Sequence, residues 1–196
     1  MTDSTALSRY SSTYQAKKAW FTFLGASFRL FTSDGSLAFF VKQKAFKLKE
    51  EITVFADEGQ KEAMLTIKAR SVMDVSAIYD ITDVKTGDRI GSMKRKGLKS
   101  ILRDEWSILS LDEQEVGVVK EDSGIMALVR RFLIKIIPQT FRVTMGDGEV
   151  GIIKQTWNIF SLTYDVDFSA DTEGKLDARM GVALVVLLLA IEGRQG

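Results

Sequence analysis

The densest group of side chains able to hold a ligand is Lys94-Arg95-Lys96, continued by Lys99 and Arg103 and preceded across an expected hairpin by Arg89. Ammonium and guanidinium groups gathered this way can grip a phosphate through charge-assisted hydrogen bonds. Beside a bilayer each contributes roughly 1 kcal/mol of attraction to anionic lipid. The same residues also suit solvated guards of a strand edge or turn. A second set, Lys42, Lys44, Lys47 and Lys49, alternates with Val41, Phe46 and Leu48, as the outer face of a strand would. Asp165 and Asp167 leave the same face of a strand, where they could bind a hard cation or exchange protons. With Tyr164, Val166 and Phe168 turned inward, the two carboxylates are expected simply to face water.

The 196 residues include no histidine and no cysteine. The commonest general base and the commonest transition-metal ligand are missing together, as are thiolate catalysis and disulfides. There is no phosphate-binding loop, dinucleotide glycine fingerprint or nucleophile-elbow spacing, and no recurring aromatic-plus-basic motif. No catalytic residue, metal, cofactor or nucleic-acid partner is therefore expected. Lys and Arg number 27 against 26 acids, a net charge of +1, so any electrostatic function must be a local patch.

The elements that must position these residues read as strands. Short segments alternate apolar and polar side chains, as in Phe141-Arg142-Val143-Thr144-Met145, and are separated by turns such as Ser33-Asp34-Gly35 and Gly146-Asp147-Gly148. The turns recur about every 25–35 residues and their surroundings resemble one another, which predicts a hairpin repeated four or five times and ten to twelve antiparallel strands. Residues 1–15, polar and rich in Ser and Thr, are expected to form a flexible tail ahead of a single domain over 16–196. Ile125 to Ile137 has helical spacing with Arg130, Arg131 and Lys135 among its apolar positions. It reads either as a plug across one mouth of the sheet or as a basic helix on a membrane surface. Trp20, Trp106 and Trp157 suit the core or the rims.

Met180 to Ile191 contains no polar side chain. A helix that is apolar all round must be surrounded on every side, by lipid or by protein. At 1.5 Å per residue this run spans roughly 18 Å, well short of the ~30 Å hydrocarbon core. Protein is the better wrapper. A closed sheet of about twelve strands has a radius near 12 Å, enough for one helix on its axis over about 177–192.

Phe39-Phe40-Val41-Lys42-Gln43-Lys44-Ala45-Phe46-Lys47-Leu48-Lys49-Glu50, followed by Val54-Phe55-Ala56-Asp57, resembles the LURP-one-related family of the tubby-like and phospholipid-scramblase-like superfamily, in a bacterial-looking branch. Met93 to Ser100 and the terminal Leu-rich helix fit the same pattern, so the resemblance covers about Leu30 to Gly196. It implies a closed twelve-stranded antiparallel barrel around a hydrophobic C-terminal helix. It also implies a class of partner, anionic phospholipid or phosphoinositide-like headgroups, with no numbered site to carry over. The expected reading is a cytoplasmic, non-enzymatic binding module, peripheral to the membrane and not transmembrane. Its headgroup site would be Arg89, Lys94, Arg95, Lys96, Lys99 and Arg103. The alternative is a soluble scaffold domain with a protein partner and no lipid ligand.

Overall fold

A computed structural model describes residues 9–19, 25–44, 51–70, 77–96, 105–122, 138–156 and 161–191. Twelve strands succeed one another: β1 Thr13–Ala19, β2 Gly25–Phe31, β3 Leu37–Lys44, β4 Ile52–Phe55, β5 Ala63–Ala69, β6 Ile78–Asp83, β7 Arg89–Lys96, β8 Glu105–Leu109, β9 Glu115–Glu121, β10 Thr140–Met145, β11 Gly148–Thr156 and β12 Ser161–Asp167. One helix, α1, follows over Ala178–Ile191. Each strand pairs antiparallel with its chain neighbours, and β1 closes the barrel on β12, with Thr13 opposite Asp167 and Ala19 opposite Ser161. Closure gives each of the twelve described strands a partner on both sides.

Alternation along the strands decides which side chains enter. On β10, Phe141, Val143 and Met145 are buried while Arg142 is exposed; on β12, Tyr164 and Val166 are buried while Asp165 and Asp167 are exposed. The inward residues meet α1 on the barrel axis, where every residue from Met180 to Ile191 is buried. At roughly 1.5–3 kcal/mol for each large apolar side chain taken from water, this helix is a main source of stability. Close packing also dictates small residues on the wall. A Cβ on Gly151 would stand 2.3 Å from the Phe168 ring and 2.8 Å from the Asp167 carbonyl oxygen.

Both termini of α1 are held by the barrel. Asp177 caps the start, its Oδ1 accepting the Arg179 N–H at 2.8 Å, and the Arg179 guanidinium reaches Asp83 at 2.8 Å. At the other terminus Lys18 points inward from β1 and donates to the Leu189 carbonyl at 3.3 Å, placing a cation at the negative end of the helix dipole. The turns β2–β3, β4–β5, β6–β7, β8–β9 and β10–β11 all lie at the end where α1 begins, here the turn end. The opposite, far end is where the odd-numbered strands finish and α1 stops.

One expectation changes at the N-terminus. Thr13–Gln15, expected in a tail, are the start of β1, and Tyr14 is buried against Phe39 with ring centroids 6.2 Å apart. The hairpin unit is repeated five times, from β2–β3 to β10–β11, within the expected range, and β1 and β12 pair with each other to complete the twelve strands. The helix expected over 125–137 lies outside the described residues, as do Trp20 and Trp157.

Candidate functional site

β7 carries the basic run, and its pleat splits the run between two faces. Met93 is fully buried toward the axis, so Arg95 shares its face; the Arg95 guanidinium lies over the buried Trp106 ring, 6.0 Å from the centroid. Ser92, Lys94 and Lys96 face outward with Arg89. Four of the six candidate residues are thus described, three of them together on the outer wall; Lys99 and Arg103 lie outside the described residues.

Arg89 is engaged from several sides. It donates to Glu113 Oε1 at 2.6 Å, to the Leu111 carbonyl at 2.7 Å and to Ser92 Oγ at 3.0 Å. Arg70, at the end of β5, completes the cluster by donating to Asp80 Oδ2 at 3.0 Å and to Glu113 Oε1 at 2.9 Å. The hydroxyl of the wholly buried Ser92 donates to Asp80 Oδ1 at 2.7 Å. Hydrogen bonds from Arg70 and then Arg89 pull the Glu113 carboxyl down to about 2. The Arg70 hydrogen bond likewise holds Asp80 below the usual carboxylate range. Three strands, β5, β6 and β7, and the β8–β9 turn are tied together by two cations and two anions.

Lys96 is paired as well. Its Nζ donates to Glu105 Oε1 at 2.8 Å and sits 3.2 Å from Glu115 Oε2, which accepts the Ser107 hydroxyl at 2.5 Å. The Glu105 hydrogen bond raises the Lys96 pKa. Lys94 differs: among the described residues its ammonium has no hydrogen-bond or ion-pair partner. It lines a groove of about 500 Å³ on the outer wall together with Ile78, Lys96, Ser107, Leu109, Glu113 and Glu115. The groove therefore presents one unengaged cation beside pairs that an incoming anion would have to open.

The other candidate clusters are plainer. Lys42 stands exposed on the outer face of β3, as expected, while Lys47 and Lys49 lie outside the described residues. Asp165 accepts from Gln15 at 3.1 Å, and Asp167 accepts the Ser169 N–H at 2.8 Å, so both carboxylates are occupied locally. No group of acidic side chains able to hold a metal occurs among the described residues. Arg70 and Glu113, which dominate the wall, escaped the sequence reading because they lie 19 and 24 residues from Arg89 in the chain. Only the strand register brings them together.

A closed antiparallel barrel of twelve strands wrapped around a buried C-terminal helix, with a charged outer wall, is the class of protein defined here. Residues 37–189 match the LURP-one-related family, and the chain belongs to it. No curated protein and no solved structure matches the chain.

Proposed function

We propose that this protein is a non-enzymatic binding module that docks on anionic phospholipid or phosphoinositide-like headgroups through the basic outer face of β7. The observation that carries the reading is Lys94, an unengaged ammonium at a groove of about 500 Å³. A phosphate bound there would next recruit Lys96 and Arg89 by displacing Glu115 and Glu113, exchanging one charge-assisted partner for another. In this reading Lys99 and Arg103, which lie outside the described residues, belong to the same headgroup site, and Arg95 steadies the strand through Trp106. The protein works in the cytoplasm, peripheral to the membrane. Among the described residues no helix is long and apolar enough to cross a bilayer.

Sedimentation with vesicles tests the reading. Binding is expected to need anionic lipid, to weaken as salt rises, and to fall with Lys94→Glu plus Lys96→Glu. Equal binding to neutral vesicles, or none to anionic ones, overturns it.

A second reading has its own observation. Val84, Leu111 and Val116 are exposed at 39%, 55% and 38% on or beside the β6–β7 and β8–β9 turns, at the turn end rather than on the basic face. Exposed apolar side chains at one end favour a scaffold with a protein partner. Capture of a stoichiometric partner without lipid, lost in Leu111→Ser and kept in the Lys94→Glu plus Lys96→Glu variant, would favour it.

A further inference from the structure

Lys94 has counterparts all round the barrel. Lys42, Lys68, Lys94 and Lys120 follow one another at intervals of 26 residues, and Lys17 and Lys154 continue the series on β1 and β11. Each odd-numbered strand therefore carries one of them, within two residues of its end. Each is preceded by a fully buried inward residue, Ala16, Val41, Ile67, Met93, Val119 or Ile153, so all six lysines share the outward face.

The register fixes their height. Lys68 lies opposite Asp80, and Asp80 opposite Ser92, two residues before Lys94. Lys94 leads through Ser107 to Val118, two residues before Lys120. Lys120 leads through Arg142 to Ile152, two before Lys154, and Lys154 through Asp165 to Gln15, two before Lys17. A stagger of two residues for every two strands gives a strand tilt of about 37°. Crossing two strands at that tilt changes the height along the axis by about 5–6 Å, and two residues along a strand change it back by the same amount. The six lysines thus form a level ring close to the far rim, with neighbouring ammonium groups about 17 Å apart.

Groups that far apart cannot share one phosphate, and they lie beyond the ~8 Å screening length of physiological salt. They can act together only on something flat and extended, laid across the barrel axis. The turn end has the opposite sign: its described turns, 32–36, 56–62, 84–88, 110–114, 146–147 and 168–177, hold eleven acidic and three basic side chains. Among the described residues the barrel is therefore polar along its axis, and an anionic plane attracts the lysine ring while repelling the turn end. Some ring members have local contacts, Lys17 over the Phe31 ring and Lys120 at 4.0 Å from Glu105. The ammonium groups of Lys42 and Lys68, like that of Lys94, have no partner among the described residues.

The geometry points to an end-on docking face: the ring of Lys17, Lys42, Lys68, Lys94, Lys120 and Lys154 seats the far end on an anionic bilayer, with the barrel axis along the membrane normal. This rests on the lipid reading above and replaces a contact through one side of the wall with a contact through the whole rim. Two triple variants of equal charge separate the two. Lys68, Lys94 and Lys120 occupy the half of the ring centred on β7; Lys17, Lys42 and Lys154 occupy the other half, centred on β1. In about 0.15 M salt, where screening confines each lysine to its own neighbourhood, each triple Lys→Gln variant is expected to lower partition onto phosphatidylserine-containing vesicles about tenfold or more. Triple Lys→Arg variants, which keep the charge, are expected to bind like the parent and control for folding. If only the Lys68/Lys94/Lys120 variant loses binding, end-on docking is overturned and the side-face reading stands. If the parent protein ignores anionic vesicles, both are overturned.

Discussion

At the end of the barrel where α1 begins, carboxylates are tied to backbone: Asp34 accepts the Ser36 N–H at 3.0 Å, Asp57 the Lys61 N–H at 3.1 Å, and Asp171 the Leu176 N–H at 2.8 Å. At the end where α1 stops, the outward lysines of the odd strands hold no such positions, and several have no partner among the described residues. Tight turns need side-chain acceptors for backbone N–H groups that the ladder leaves over, and Asp supplies them. Strand lysines have their backbone already paired in the ladder, so their side chains are not needed as turn acceptors, and those of Lys42, Lys68 and Lys94 have no partner among the described residues. The turn acids of this barrel are structural, and the proposed docking role falls to the outward lysines at the other end.

The sharpest check on that contrast begins with the element both ends share. Leu187→Asp places an unpaired carboxylate in the middle of α1, where the leucine is wholly buried. The variant is expected to lose the cooperative urea transition altogether, since such a charge costs more than a domain's usual margin. Trp106→Ala should preserve the barrel but lower stability by about 3–5 kcal/mol, the cost of an unfilled core site. Between the two helix termini, Asp177→Ala should cost about 1 kcal/mol as a lost cap, against about 0.3–1 kcal/mol for Lys18→Met at the other pole. Equal or reversed losses would break the view that the turn end is the more tightly fixed.

Smaller effects are expected on the outer wall. Because the folded-state pKa of Glu113 is depressed from 4.5 to about 2, its pairing stabilises the fold fully above about pH 4.5 and loses that contribution as pH falls toward 2. Denaturant midpoints of Glu113→Gln should lie below those of the parent at pH 6 and converge on them near pH 2. The smallest change is expected for Lys68→Gln, within about 0.5 kcal/mol of the parent in thermal melts. A loss well above that would show that the far-end lysines, too, are structural.

The barrel was legible because a half-buried strand alternates with period two, and Phe141–Met145 or Tyr164–Phe168 shows it without help, although β3, β7 and β8 bury adjacent residues. The N-terminal unit was not, since Thr13-Tyr14-Gln15-Ala16-Lys17 buries only Tyr14 and the small Ala16 before Lys18 turns in toward the helix. The basic run at Lys94–Lys96 was visible as composition, yet adjacent residues on a strand face opposite ways. Arg95 accordingly belongs to Trp106, while Lys94 belongs with residues 26 positions away on either side.

By itself the sequence determined that Met180 to Ile191 must be enclosed by protein, since the run has no polar face and is too short for a bilayer, and that alternating strands must do the enclosing. Tertiary structure alone decided which charges meet. Whether Arg70 finds Glu113, and whether six lysines fall on one level, depends on the stagger of twelve strands around a closed circumference. Stagger is a property of closure and tilt, shared by the whole sheet, and no local window of residues encodes it.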